Sequence, residues 1–201
     1  MEVIMFKENT PTLYTERLIL RKFTDKDVDD MFLLYSDEDV NRFLPWYPMK
    51  TKEEVKKYLF DTILPFYEKD VAYSYAIAQK TNNKVIGYVH VNDIGNSNDM
   101  GYALRKEFWR MGIVSEACLA ILERLRQVSF PFITATHDID NPHSGEVMKK
   151  IGMIYRYSYQ EQWQPKNILV TFRMYQIDLC EGYGTYLGYK KKYPNFIEKL
   201  D

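Results

Sequence analysis

Gly101-Tyr102-Ala103-Leu104-Arg105-Lys106-Glu107-Phe108-Trp109-Arg110-Met111-Gly112-Ile113-Val114-Ser115-Glu116-Ala117 changes its hydrophobic period in mid-course. Asp99 to Arg105 reads as a strand. From Gly112 onward Val114, Ala117, Cys118, Ile121, Leu122 and Leu125 recur at helical spacing, with Ser115, Glu116, Glu123 and Arg124 on the other side. A strand therefore passes through a short basic turn directly into an amphipathic helix. The unpaired amides of the first helical turn and the positive end of the helix dipole converge there. Gly112 lets the backbone come close to a ligand, and Arg105, Lys106 and Arg110 add positive charge. Such a point suits an anion. The spacing is neither G-x-G-x-x-G nor G-x-x-x-x-G-K-[ST], which lowers the case for a dinucleotide fold or a P-loop ATPase. A solvated basic turn ahead of a core helix is the competing reading of the spacing alone.

Upstream, Arg17 to Phe23 reads as a strand, and Thr24 with Asp27 as a capping signal for a helix carrying Val28, Met31, Phe32 and Tyr35. Thr51 and Glu54 fit a capping box before Val55, Tyr58, Leu59 and Ile63. The aromatic, proline-bounded stretch Phe43 to Pro48 joins the two helices. Tyr73 to Gln79, Lys84 to Val91 and Asp99 to Arg105 form an expected antiparallel meander. Downstream come a strand (Phe132 to Thr136), a short helix (Ser144 to Ile151, ended by Gly152) and two closing strands (Met153 to Gln160, Ile168 to Leu179). This succession needs crossover connections, so the expected class is α/β, with a mixed, mostly antiparallel central sheet flanked by helices. The expected organisation is one domain over residues 1–181, with a Tyr/Lys-rich appendage at 182–201.

Composition narrows the function classes. Lys plus Arg number 27 against 28 Asp plus Glu, so there is no global basic field for nucleic acid. Two cysteines without a CxxC pair argue against a zinc site or a disulfide scaffold and suit a reducing cytoplasm. Neither a signal-peptide pattern nor a run of membrane-spanning length occurs, so the expected setting is cytoplasmic, away from membranes. His137-Asp138-Ile139-Asp140-Asn141-Pro142-His143 lacks the spacing of an EF-hand or a zincin helix, so no metal is expected. The 17 tyrosines stand out, since such side chains combine apolar area with a polar handle for lining pockets.

The run Gly101-Tyr102-Ala103-Leu104 followed by Trp109 to Ala117 resembles the phosphate-loop motif of the GNAT superfamily of acyl-CoA N-acyltransferases, in the branch of the ribosomal-protein N-terminal acetyltransferases. The resemblance extends through Thr15 to Arg21, Leu44-Pro45-Trp46, Val85 to Tyr88, Asn141 to Ser144 and Val147 to Met153, nearly the whole chain except the tail. It implies a GNAT-like fold and acetyl-CoA as co-substrate. The pyrophosphate would lie at the amides of Met111, Gly112, Ile113, Val114 and Ser115, with Trp109 and Arg110 in the same turn. Pantetheine would run along Tyr102, Ala103, Leu104 and Arg105, and Asn141 and Ser144 match family positions that contact the cofactor. On spacing alone, Asn141 or Ser144 could instead cap the following helix. Two departures stand out: Val114 replaces a usual Gly or Ala, and Arg110 a frequent Gly.

Acyl transfer needs a neutral amine, whereas an alkylammonium has a pKa near roughly 10. Asp99, at a position often acidic in the family, is the expected base, with Glu161 and Asp93 as rivals. Ser144 is the leading acid for the departing thiolate. The tyrosine that many members place seven residues after the equivalent of Asn141 is here Met148, leaving Tyr102, Tyr155 and Tyr157 as substitutes. Trp46, Tyr47, Glu161 and Trp163 are expected around the acceptor. The reading is an N-acetyltransferase acting by direct attack in a ternary complex on a primary amine of a protein N-terminus or small molecule. Its alternative is a non-catalytic acyl-CoA-binding or regulatory module. The tail would cover the pocket, form a subunit contact such as a homodimer, or stay mobile.

Overall fold

The computed structural model describes residues 8–92 and 96–200. Asp93, one of the rival bases, lies outside the described residues. The strands are β1 (Leu13–Tyr14), β2 (Leu18–Arg21), β3 (Tyr73–Gln79), β4 (Val85–Asn92), β5 (Asp99–Leu104), β6 (Phe132–Asp138), β7 (Ile154–Trp163), β8 (Ile168–Asp178) and β9 (Asn195–Phe196). They form one sheet in the order β1-β2-β3-β4-β5-β6-β8-β7-β9, and β5 with β6 is its parallel junction. The helices are α1 (Val28–Tyr35), α2 (Glu38–Asn41), α3 (Lys52–Tyr58), α4 (Ile113–Gln127), α5 (Pro142–Lys150) and α6 (Gly188–Lys192). The mixed, mostly antiparallel sheet with flanking helices is the architecture read from the sequence.

Alternation along the strands sends side chains into separate cores. Met100 and Leu104 of β5 join Ile121, Leu122 and Leu125 of α4 and Met148 of α5 in one core. Ala103 and Tyr88 instead face Met31 and Leu34 of α1 and Val55 of α3. A third core holds Tyr157 and Tyr159 of β7 and Phe172 and Met174 of β8, with Trp163, Tyr186, Tyr189 and Tyr193 against it.

Both expected helix starts are present. The Thr24 amide donates to Asp27 Oδ2 at 2.7 Å, and the Thr51 hydroxyl accepts from the Glu54 amide at 3.2 Å. Glu54, however, accepts from the Lys50 amide at 2.6 Å, so its box closes one residue early. β7 runs past Gln160 to Trp163 because its register with β8 continues through Trp163↔Ile168. Glu161 and Trp163 are therefore strand residues, not loop residues. Likewise β6 extends through Asp138, its register with β8 continuing to Phe172.

Candidate active site

The sheet is interrupted where β5 meets β6. Their pairing consists of the single register Asp99↔Thr134, with the Thr134 amide donating to the Asn98 carbonyl at 3.2 Å. Beyond that rung the strands part. In the antiparallel ladder with β4, Arg105 donates its amide to Ile86 at 2.8 Å. Alternation then assigns Ala103 and Gly101 to the β4 side and turns the N–H and C=O of Met100, Tyr102 and Leu104 toward the gap. Those groups can pair with an amide-bearing chain laid between the strands. The Leu104 carbonyl already accepts from Trp109 Nε1 at 2.7 Å, which ties the turn to the strand end.

At the mouth of the gap stands the N-terminus of α4. Gly112 adopts φ +73° and ψ 8°. A Cβ there would lie 3.7 Å from Lys150 Nζ and 3.8 Å from an Arg17 guanidinium nitrogen, so two cations flank the first amides of α4. Arg105 is ion-paired with Glu107, Lys106 with Asp39 and Arg17 with Glu116, and it is Arg17 and Lys150, far away in sequence, that stand beside Gly112. Arg110, at φ +61°, has Nη2 3.5 Å from His143 Nε2. The residue thus occupies a left-handed conformation that glycine adopts without strain, a reason for the family's frequent glycine there. Val114 packs beside the main core, and Ser115 is buried.

Ser144 and Tyr102 are brought together: the Tyr102 hydroxyl donates to the Ser144 carbonyl at 2.8 Å and lies 3.0 Å from Ser144 Oγ. Burial raises the Tyr102 pKa well above its ordinary value, so the phenol stays protonated. Asn141 stands at the N-cap of α5 but makes no side-chain capping bond there, and Ser144 Oγ turns to Tyr102. Met148 is 1% exposed in the main core. Tyr155 and Tyr157 are committed elsewhere, with the Tyr155 hydroxyl 2.9 Å from Ser158 Oγ and Tyr157 donating to the Tyr186 carbonyl at 2.8 Å.

At the closed end of the gap, Asp99 Oδ1 accepts from Thr134 Oγ1 at 3.3 Å. Burial pushes its carboxyl up to about 7, only partly countered by hydrogen bonding from Thr134 and Tyr189. His90 was not anticipated from the sequence. It lies opposite Gly101 in the β4–β5 register, and a Cβ on Gly101 would fall 2.5 Å from its Nε2. Its ring stacks on Tyr88 at 5.4 Å, and burial pushes its pKa down to about 4, so it is neutral near pH 7. The available signal was its cross-strand pairing with a glycine, which needs the register to be seen.

The expected acceptor residues are dispersed. Trp46 Nε1 donates to Asn41 Oδ1 at 3.0 Å, and Tyr47 lines an open hollow of about 570 Å³ with Arg42 and Lys166. Lys166, in the β7–β8 turn, donates to the Asn41 and Arg42 carbonyls at 2.9 and 3.0 Å, joining the turn to α2. Glu161 accepts from the Tyr193 hydroxyl at 2.7 Å, and Trp163 packs on Phe172 with ring centroids 4.9 Å apart. No cluster of three or more His, Cys, Asp or Glu residues able to hold a metal ion occurs among the described residues, and no helix among them is long and apolar enough to cross a membrane.

Comparison with known proteins bears on this geometry. YoaA of Bacillus subtilis, described as an uncharacterized N-acetyltransferase, is 25% identical over 161 residues, covering 75% of this chain and 89% of its own. The uncharacterized N-acetyltransferase p20 of Bacillus licheniformis is 30% identical over 115 residues, covering 56% of this chain and 64% of its own. A GNAT-family acetyltransferase from Bacillus anthracis shares the fold with a TM-score of 0.72 at 23% identity, covering 84% of this chain and 99% of that one. RimL, a ribosomal L7/L12 alpha-N-protein acetyltransferase solved with coenzyme A, gives 0.72 at 20% identity, covering 84% and 98%. Residues 17–154 match the model of the acetyltransferase (GNAT) domain, and the chain belongs to that family of acetyltransferases.

Proposed function

We propose that this chain moves the acetyl group of acetyl-CoA to a primary amine, of a protein N-terminus or a small molecule, by direct attack in a ternary complex. The observation that carries the reading is the gap between β5 and β6, with the cationic N-terminus of α4 at its mouth and Asp99 at its closed end. The residues fit the donor: Arg17, Lys150 and the amides of Ile113 to Ser115 would hold its diphosphate, and the strand edge of Met100, Tyr102 and Leu104 its pantetheine amides. The donor supplies an activated thioester.

The chain's own residues then supply the proton chemistry. Asp99 takes a proton from the incoming ammonium, for which a carboxyl near 7 is well matched at neutral pH. As the N–C bond forms and the C–S bond breaks, the amine nitrogen sheds its second proton to the joined hydroxyls of Ser144 and Tyr102 while they pass one to the departing sulfur, so the hydroxyl pair ends as it began and the products are the amide and the free thiol. A strand-edge N–H in the Tyr102 to Leu104 stretch faces the oxygen on which negative charge grows. His90, neutral beside Gly101, adds no positive charge at the closed end.

The test is incubation with acetyl-CoA and a panel of amines and peptides, following free thiol and acetylated product. Thiol release with one acceptor class supports the reading, and absence of both products across the panel overturns it. The competing reading, an acyl-CoA-binding module, draws on the buried Met148 where an acid tyrosine is usual. Tight binding without turnover would select it.

A further inference from the structure

Asp99 projects to one face of the sheet, and the opening on that face is framed all round. Its companions along β5 there are Gly101 and Ala103, and Ala103 shares a core with Leu34 of α1, against which Val40 of α2 packs, so both helices stand over the β5 side. Across the gap Thr134 and Thr136 of β6 point the same way. Thr136 is the register partner of Met174, whose core also receives Trp163 of β7. The rung between Asp99 and Thr134 shuts the closed end. At the mouth, about 17 Å away by the rise of the five residues to Leu104, α2 is tied to the end of β5 by the ion pair of Asp39 with Lys106. There Lys166 reaches over from the β7–β8 turn, and its ammonium donates to the Asn41 and Arg42 carbonyls at 2.9 and 3.0 Å. The socket it enters is stiff, because the buried Asn41 amide donates to the Leu34 and Asp37 carbonyls at 3.0 and 2.8 Å and its Oδ1 accepts from Trp46. A lysine on the last carbonyls of a helix is a common cap. This one comes from the opposite side of the gap.

We propose that Lys166 is a specificity-determining latch: by holding the β7–β8 turn on α2 it bounds the window through which the acceptor reaches Asp99, admitting an amine at the end of an unbranched, extended chain and refusing one on a ring or a branched carbon. The inference deepens the acyl-transfer reading and rests on it. The opposite face of the gap is crossed by the Tyr102 hydroxyl on the Ser144 carbonyl at 2.8 Å, so β5 is joined to the far side on both faces and the window does not widen freely. Two charge-assisted bonds hold the turn against an incoming ligand. An unbranched chain presents only its own width to such a window, whereas a ring carries its whole breadth up to the nitrogen.

The experiment compares paired acceptors with acetyl-CoA: n-hexylamine against cyclohexylamine, and peptides beginning with glycine against the same peptides beginning with valine. The parent should favour the unbranched member of each pair. Lys166→Met keeps the aliphatic stem and removes the donor, and it should raise kcat/KM of the ring-bearing or branched member relative to its partner by about tenfold. Lys166→Arg, which can still donate to both carbonyls, should return the ratio to that of the parent. Lys166→Gln, whose amide stops short of the socket, repeats the test where Lys166→Met loses its fold. An unmoved ratio in a folded latch-breaking variant, even with both rates reduced, makes Lys166 a helix cap and overturns the inference alone. If the parent acetylates no amine at all, the acyl-transfer reading has failed and the inference falls with it.

Discussion

Arg17 Nε lies 2.6 Å from Glu116 Oε2 while the same guanidinium donates through Nη1 to the Met111 carbonyl at 3.0 Å. The residue before β2 thus grips both the first turn of α4 and the loop that precedes it. The Thr15 hydroxyl and the Arg17 amide also donate to Glu116 Oε1, at 2.5 and 3.0 Å. Arg17→Ala should therefore weaken coenzyme A binding about tenfold, roughly 1.4 kcal/mol, through loss of one diphosphate partner and loosening of the turn. Isothermal calorimetry checks this, and an unchanged dissociation constant would remove Arg17 from the site.

Burial alone would raise the Glu116 pKa, but hydrogen bonds from Thr15 and Arg17 and the Arg17 charge outweigh it and bring it below the ordinary value. A carboxylate lowered on folding contributes stability above its unfolded pKa, and that contribution is lost as pH falls through the folded value. The stability difference between parent and Glu116→Gln should accordingly shrink on acidification below about pH 4.5. Denaturant titrations at pH 7 and pH 3.5 would reveal a difference that instead grows.

Asp99 has the opposite sign. Its folded pKa, about 7, exceeds that of an unfolded aspartate, so the folded state binds the extra proton and stability falls as pH rises between roughly 4 and 7. Asp99→Asn should be more stable than the parent at pH 8, and this advantage should disappear near pH 4. Its kcat/KM should drop by about 10²-fold or more, and the acid limb should vanish with it.

Arg110 stores conformational strain at φ +61°. Arg110→Gly should stabilise the fold by about 1 kcal/mol and raise Tm, while coenzyme A binding weakens through the lost charge. Opposite movement of the two quantities is the signature. A parallel fall in both would mean that the arginine side chain holds the turn together.

Gly101 and His90 should be energetically coupled. Gly101→Ala drives a methyl into the imidazole and should cost about 1–3 kcal/mol. His90→Ala should recover much of that loss in the double variant, read from chemical denaturation of all four proteins. Additive costs would show that the two side chains do not meet.

Local patterning made the scaffold legible. The change of period at Gly112 and the capping residues Thr24 and Thr51 marked real starts, because such signals need only a few consecutive residues. What escaped was set by distant parts of the chain. Lys150 closes on the α4 terminus from the far end of α5, and His90 acquires meaning only from its register partner Gly101. Glu161 and Trp163 read as loop residues, since nothing near them announces that the β7–β8 ladder continues. The tail did carry a local signal, with tyrosines at 186, 189 and 193 spaced to share one side of a helix. The surface it covers could not be read from that spacing.

The lone rung between Asp99 and Thr134 leaves the molecule with a ladder missing its steps. A donor molecule lying in that opening would serve as a surrogate strand, so its capture should resemble the last stage of folding more than the filling of a finished mould. Melting temperature should climb with donor concentration, and slowed amide exchange should spread along β5 and β6 together.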